Sequence, residues 1–169
     1  MKKIKYIVLD VDGTLTDGGI YHDENDRELK KFNTKDGLGI ILARKSGICI
    51  VALTGRTCKA TERRMKELNI DYLFQGVKEK EIFLSDFMQK HKIEKEEIGY
   101  IGDDLNDIKA IKLVGFIGCP ADAAEEVKKL ANYVSEINGG NGAVRDIISY
   151  ILKQQDDWDQ VIETVYGVV

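Results

Sequence analysis

The 169-residue chain is 43% hydrophobic and 32% charged, with a formal net charge of −4, a profile of globular rather than disordered proteins. At that length a single domain buries roughly two-thirds of the surface its unfolded chain exposes. The acidic balance leaves no basic stripe for a nucleic-acid partner, and no apolar run approaches the roughly 20 residues a membrane span requires.

The basic start, residues 1–6, leads directly into the apolar run Tyr6-Ile7-Val8-Leu9 and lacks the long apolar stretch of a signal peptide. This run reads as a strand buried on both faces. It ends in Asp10-Val11-Asp12-Gly13-Thr14, and parallel sheets bind ligands beyond the carboxyl ends of their strands. In extended backbone, residues i and i+2 point to one side, so Asp10 and Asp12 form a pair. Like charges that close raise each other's pKa unless a cation sits between them. Gly13 permits a sharp turn, and Thr14 offers a hydroxyl and an N–H to an anion.

Residues 18–33 carry no helix signal. Ile20-Tyr21-His22 and Leu29-Lys30-Lys31-Phe32 flank the turn-rich Asp23-Glu24-Asn25-Asp26, which predicts an inserted β-hairpin. A lone two-stranded hairpin is marginal in water, so it is expected to pack on something, a partner subunit included. A second strand, residues 48–53, ends in Thr54-Gly55-Arg56. Thr54 is placed to bond a phosphoryl oxygen or to cap the following helix, residues 57–68. Lys80 opens a helix over residues 80–91 and is a candidate cation for phosphate, although Lys78 stands beside it.

The third strand, residues 98–101, runs into Gly102-Asp103-Asp104-Leu105-Asn106-Asp107. Either acid cluster alone reads as a helix cap. Two at strand ends of one α/β pattern make a hard-oxygen site suited to Mg²⁺. Shorter strands begin at Phe116 and Tyr133, with a helix over residues 123–130 between them. Asn138-Gly139-Gly140-Asn141-Gly142 reads as the most flexible stretch. The last helix puts Trp158, Val161, Ile162, Val165 and Tyr166 on one face, which docks on the chain's own core or on another subunit. Cys49, Cys58 and Cys119 form no metal-binding or redox pattern and read as free thiols of a reducing cytosol.

Asp10-x-Asp12-Gly13-Thr14, Thr54-Gly55, Lys80 and Gly102-Asp103-Asp104-x-x-Asp107, in that order, resemble the four motifs of the haloacid dehalogenase superfamily. Residues 9–18, 32–39, 53–56 and 139–145 resemble, within it, the 3-deoxy-D-manno-octulosonate 8-phosphate phosphatases. The likeness spans about residues 5–152, and the tail from Gln154 matches no part of the pattern. It implies a Rossmann-like three-layer α/β fold: a parallel sheet, helices on both faces, an inserted hairpin and no separate cap domain, with residues 1–169 as one domain.

The resemblance also implies a cytoplasmic, Mg²⁺-dependent sugar-acid phosphatase. Asp10 would be the nucleophile that carries an aspartyl-phosphate. Asp12 would act as acid and then base, and lend its backbone carbonyl to the metal. Asp103 would complete the metal's protein ligands, with Asp104 or Asp107 orienting waters and neighbours. Thr54 and Lys80 would hold phosphoryl oxygens, and Arg56, Gly37 and Arg145 would bind substrate. Relatives of this group resemble homotetramers whose hairpins form a barrel and whose Gly-rich segment enters a neighbouring site.

Phosphate monoesters are among the slowest bonds to hydrolyse, with accelerations up to about 10²¹-fold. A carboxylate nucleophile backed by Mg²⁺ and a lysine is a sound route. A nonulosonate (sialic-acid-type) 9-phosphate phosphatase is the nearest competing reading, and Arg56 leans toward the octulosonate enzymes. A receiver-like signalling module would carry its adjacent acid pair after the first strand, where this chain has Asp-x-Asp. A silent homologue would lack motif residues, and none is missing.

Overall fold

A computed structural model describes residues 3–168. In chain order the first half comprises β1 (Tyr6–Leu9), β2 (Tyr21–His22), β3 (Glu28–Leu29), α1 (Thr34–Lys45), β4 (Cys49–Leu53), α2 (Lys59–Glu67) and β5 (Tyr72–Phe74). The second half comprises α3 (Lys80–His91), β6 (Ile98–Ile101), α4 (Ile108–Ile111), β7 (Phe116–Cys119), α5 (Glu125–Lys128), β8 (Tyr133–Val134), α6 (Ala143–Gln154) and α7 (Trp158–Tyr166). Six strands form one parallel sheet in the order β5-β4-β1-β6-β7-β8.

The strands are apolar throughout because helices cover both faces. Ile7 and Leu9 of β1, with Ile50 and Ala52 of β4, face one core shared with α1, α2, α6 and α7. Val8, Val51, Leu53 and Tyr100 face the other, shared with α3, α4 and α5. From β1 the chain builds outward through β4 and β5, then returns to β6 on the opposite side of β1. That reversal opens a crevice at the carboxyl ends of β1 and β6, the usual ligand position in such sheets. The pairing of the two strands carries on past the ladder, where the Asp10 N–H donates to the Ile101 carbonyl at 2.9 Å.

The expected hairpin is present, but its strands are only two residues each, paired Tyr21 to Leu29 and His22 to Glu28. An isolated bridge between Thr16 and Phe32 closes its base. Asp23 shapes the turn, its Oδ1 accepting the N–H groups of Asn25 and Arg27, each at 2.9 Å. The expected helix over residues 57–68 starts later, because Cys58 is still extended. That over residues 123–130 contracts to the single turn of α5.

Two glycine-bearing segments meet where α1 packs on α6. Gly142 begins α6 at φ +118° and supplies no side-chain cap. Buried Asp36 of α1 takes that role, its Oδ1 accepting the Arg145 N–H at 2.9 Å. A Cβ on Gly39 would stand 2.9 Å from the Arg145 Cα, so glycine sets this close approach. Asp36→Ala is therefore expected to cost about 1–2 kcal/mol, the usual value of a lost cap. Asp36→Asn, which keeps an acceptor oxygen, should cost less; urea unfolding of the two variants checks the order.

The tail helix docks on its own chain. Val161 is buried, and Trp158, Ile162 and Val165 pack against the same core, while Tyr166 remains 48% exposed. Gln155 Oε1 accepts the Ile4 N–H, and Lys3 pairs with Asp157 at 2.9 Å, so the segment before β1 is held on the connection between α6 and α7. No helix among the described residues is long and apolar enough to cross a membrane.

Candidate active site

Asp10 is buried directly beyond β1. Its Oδ1 accepts from Lys80 Nζ at 2.6 Å, and the same ammonium reaches Asp107 Oδ1 at 2.7 Å. Lys80 opens α3 and its side chain is 1% exposed, whereas Lys78 is exposed. The position at the helix start thus selects between the two lysines. Burial lowers the affinity of the Lys80 amine for its proton, but the charges of Asp10 and Asp107 outweigh it and raise the pKa. Burial, then the Asp107 charge, pushes the Asp10 carboxyl well above the ordinary carboxylate range against the pull of Lys80.

Asp103 follows β6 and meets the first motif across the crevice. Its Oδ1 accepts the Thr14 hydroxyl at 2.7 Å. Burial pushes its pKa up to about 6, the Thr14 bond opposing the rise and the Asp107 charge adding to it. Gly13 lies at φ +96°, and a Cβ there would sit 2.1 Å from Asp103 Oδ2. Only glycine lets the turn pass this carboxylate.

Carboxylate oxygens of Asp10, Asp103 and Asp107 lie within 4.8 Å of one another. Such a hard-oxygen donor set fits a divalent cation of the Mg²⁺ type. Asp107 is already engaged: Oδ1 accepts from Lys80 and from Tyr100 Oη at 2.7 Å, and Oδ2 accepts the Asp103 and Asp104 N–H groups at 3.2 and 3.5 Å. Those donors occupy most of its lone pairs. Asp107 therefore orients Lys80 and the Asp103 turn, leaving Asp10 and Asp103 as the carboxylates with capacity for a metal. Asp104 turns the other way, its Oδ1 accepting the Leu105 N–H at 2.7 Å.

The Asp12 side chain stands apart from this cluster. Its Oδ2 accepts the Thr54 hydroxyl at 3.3 Å, and its Oδ1 accepts from Lys30 Nζ. Arg56, 45% exposed in its side chain, pairs through Nη2 with Glu28 Oε2 at 2.9 Å. Arg145 lies over the Trp158 ring, 5.5 Å from its centroid, and donates from Nε to Ser149 Oγ at 3.2 Å. A Cβ on Gly37 would meet Arg64 Nη2 at 2.6 Å, so Gly37 faces α2. In this chain neither Gly37 nor Arg145 is hydrogen-bonded to the acid cluster.

The Gly-rich segment is pinned rather than loose, contrary to its composition. The Gly140 N–H donates to the Thr14 carbonyl at 3.1 Å, and the Gly139 N–H to Asp122 Oδ1 at 2.9 Å. A Cβ on Gly139 would fall 1.8 Å from the Gly13 carbonyl oxygen. These glycines bring the backbone against the turn that carries Asp12.

Residues 75–148 match the model of the haloacid dehalogenase-like hydrolases. The 3-deoxy-D-manno-octulosonate 8-phosphate phosphatase of Escherichia coli K12 is 42% identical over 159 residues, 94% of this chain and 85% of that one. The chain belongs to the 3-deoxy-D-manno-octulosonate 8-phosphate phosphatase family. The Haemophilus influenzae member of the family is 36% identical over 167 residues, covering 99% of this chain and 92% of its own. The Moraxella catarrhalis member, solved in complex with a magnesium ion, a phosphate ion and a KDO molecule, superposes with a TM-score of 0.91 at 39% identity. That match covers 95% of this chain and 92% of the other. The six-stranded parallel sheet with its small hairpin is thus the architecture of the family.

Two site residues escape a reading by motif. Lys30 lies on a hairpin too short for periodicity to reveal, although Glu28-Leu29-Lys30 alternates polar and apolar. Tyr100 is the one hydroxyl-bearing residue of the otherwise apolar β6, and it ends on Asp107.

Proposed function

We propose that this phosphatase hydrolyses 3-deoxy-D-manno-octulosonate 8-phosphate with Mg²⁺, through an aspartyl-phosphate on Asp10. The observation that carries the reading is the Asp10 carboxylate held on Lys80 beside Asp103 at the switch point of the sheet. It is supported by a family member that holds magnesium, phosphate and KDO on the same fold.

Asp10 attacks phosphorus, and the bond to the sugar C8 oxygen breaks as Asp12 gives that oxygen a proton. Asp12 then takes a proton from a water that attacks the aspartyl-phosphate, which releases phosphate and regenerates Asp10. Lys80 and Thr54 hold the phosphoryl oxygens as charge builds on them. Asp10, Asp103 and the Asp12 backbone carbonyl would hold Mg²⁺, which would supply charge against the phosphoryl group. Arg56 sits at the rim, where a guanidinium matches a sugar-acid carboxylate. Gly37 and Arg145 are assigned to substrate on the family pattern, and a raised KM in Arg145→Ala is the separate check on that assignment.

A homotetramer is part of the same reading. Ile20, Tyr21 and Leu29 are exposed on the hairpin, a small apolar face suited to other copies of the chain. The three free thiols, Cys49, Cys58 and Cys119, support a cytoplasmic setting. The test is phosphate release with Mg²⁺ from the octulosonate 8-phosphate, nonulosonate 9-phosphates and hexose phosphates. The expected result is a strong preference for the octulosonate that is lost on chelation. Equal rates on all three would end the specificity claim.

A further inference from the structure

Lysine is rarely buried without a partner. The Lys30 side chain is 2% exposed and partnered, on a hairpin whose Tyr21 and Leu29 lie exposed. Its ammonium is bonded to Asp12 Oδ1 and stands 3.5 Å from Glu28 Oε1. Glu28 in turn holds Arg56, which follows Thr54-Gly55. Glu28 and Lys30 are i and i+2 along an extended segment and face inward together, while Leu29 between them is 53% exposed. The hairpin thus presents a polar face to the site and an apolar face outward.

Asp12 is consequently gripped from two elements. Thr54, beyond β4, holds one oxygen, and Lys30, from the hairpin, holds the other. Lys80 already serves Asp10 on the nucleophile side of the crevice. Lys30 acts one position over, on the carboxylate that must meet the leaving oxygen. A displacement of about 1 Å in such a group can cost about 10²-fold in rate.

We propose that Lys30 is a positioning residue for proton transfer to the leaving group, orienting the Asp12 carboxylate from the inserted hairpin. The proposal rests on Asp12 as the general acid. It makes the hairpin part of the chemistry as well as a surface for assembly. A lysine that only anchors the hairpin, or only meets the sugar acid, would leave a different kinetic trace.

The experiment is single-turnover kcat/KM, with enzyme in excess, on phenyl phosphates of graded leaving-group basicity. These esters carry no sugar acid, so substrate carboxylate contacts drop out. General acid catalysis contributes about 10²–10⁴-fold and matters least for 4-nitrophenolate, which departs without a proton. Lys30→Met is expected to lose about 30-fold or more on phenyl phosphate and far less on 4-nitrophenyl phosphate. Lys30→Arg, which keeps a cation, should restore much of the wild-type slope. An equal loss across the series, or no loss, overturns the proposal. Asp12→Asn is the reference: a flat series there sinks the general-acid reading itself. A steep series for Asp12→Asn beside a flat one for Lys30→Met sinks the Lys30 assignment alone.

Discussion

Asp10→Asn is expected to reduce Mg²⁺-dependent phosphate release by about 10⁴-fold or more, the scale on which nucleophile removal acts in covalent catalysis. The amide has no carboxylate oxygen to attack phosphorus, so the aspartyl-phosphate cannot form. The fold should survive. The amide oxygen still accepts from Lys80, and Lys80 keeps its second partner, Asp107. Burial and the Asp107 charge already disfavour ionised Asp10, so a neutral isostere removes repulsion as well as attraction. A stability change within about 1 kcal/mol corresponds to about 2–4 °C at this chain length. Phosphate release and thermal melting on the same sample check both halves. Sustained turnover by the variant would overturn Asp10 as nucleophile.

The parts of the fold legible in the sequence are those whose signal is local. Residues 6–9 and 98–101 are apolar runs closed by acids, and each is a central strand with its acid cluster at the carboxyl end. The tail helix was equally readable, because Trp158, Val161, Ile162 and Val165 repeat at helical spacing. What escaped depends on contacts distant in sequence. Lys30 meets Asp12 eighteen residues away, and its hairpin strands are two residues long, too short for a period to register. Asp36 caps a helix 109 positions later, which no capping rule detects, since those rules look within one turn. The segment around Gly139 and Gly140 misled in the opposite direction. Glycine permits disorder, but it also permits close backbone approach, and here the second use prevails against the Gly13–Asp17 turn.

Lys80→Met is expected to damage both stability and rate, unlike Asp10→Asn. The ammonium lies between two buried carboxylates, at 2.6 and 2.7 Å, with no appreciable exposure of any of the three side chains. Removing one member of a buried ion pair costs about 3–5 kcal/mol, because the remaining charge is left uncompensated. At about 2–4 °C per kcal/mol for a chain of this size, the melting temperature should fall by roughly 6–20 °C. The deficit should also depend on pH with a definite sign. Asp10 has a native pKa already above its ordinary value, and loss of Lys80 moves it further up. As pH falls from that further-raised value to the wild-type one, the folded variant holds a proton on Asp10 that folded wild type does not, so its stability recovers relative to wild type. A deficit constant through the interval between those two values would contradict the uncompensated-charge account. The rate should fall by about 10²–10³-fold, the effect of losing one preorganised donor to a developing oxyanion, because Lys80 can bridge nucleophile and phosphoryl oxygen only while Asp107 holds it from behind. Asp107→Asn separates the two effects: it keeps the cation but weakens that hold, so its loss of rate should exceed its loss of stability.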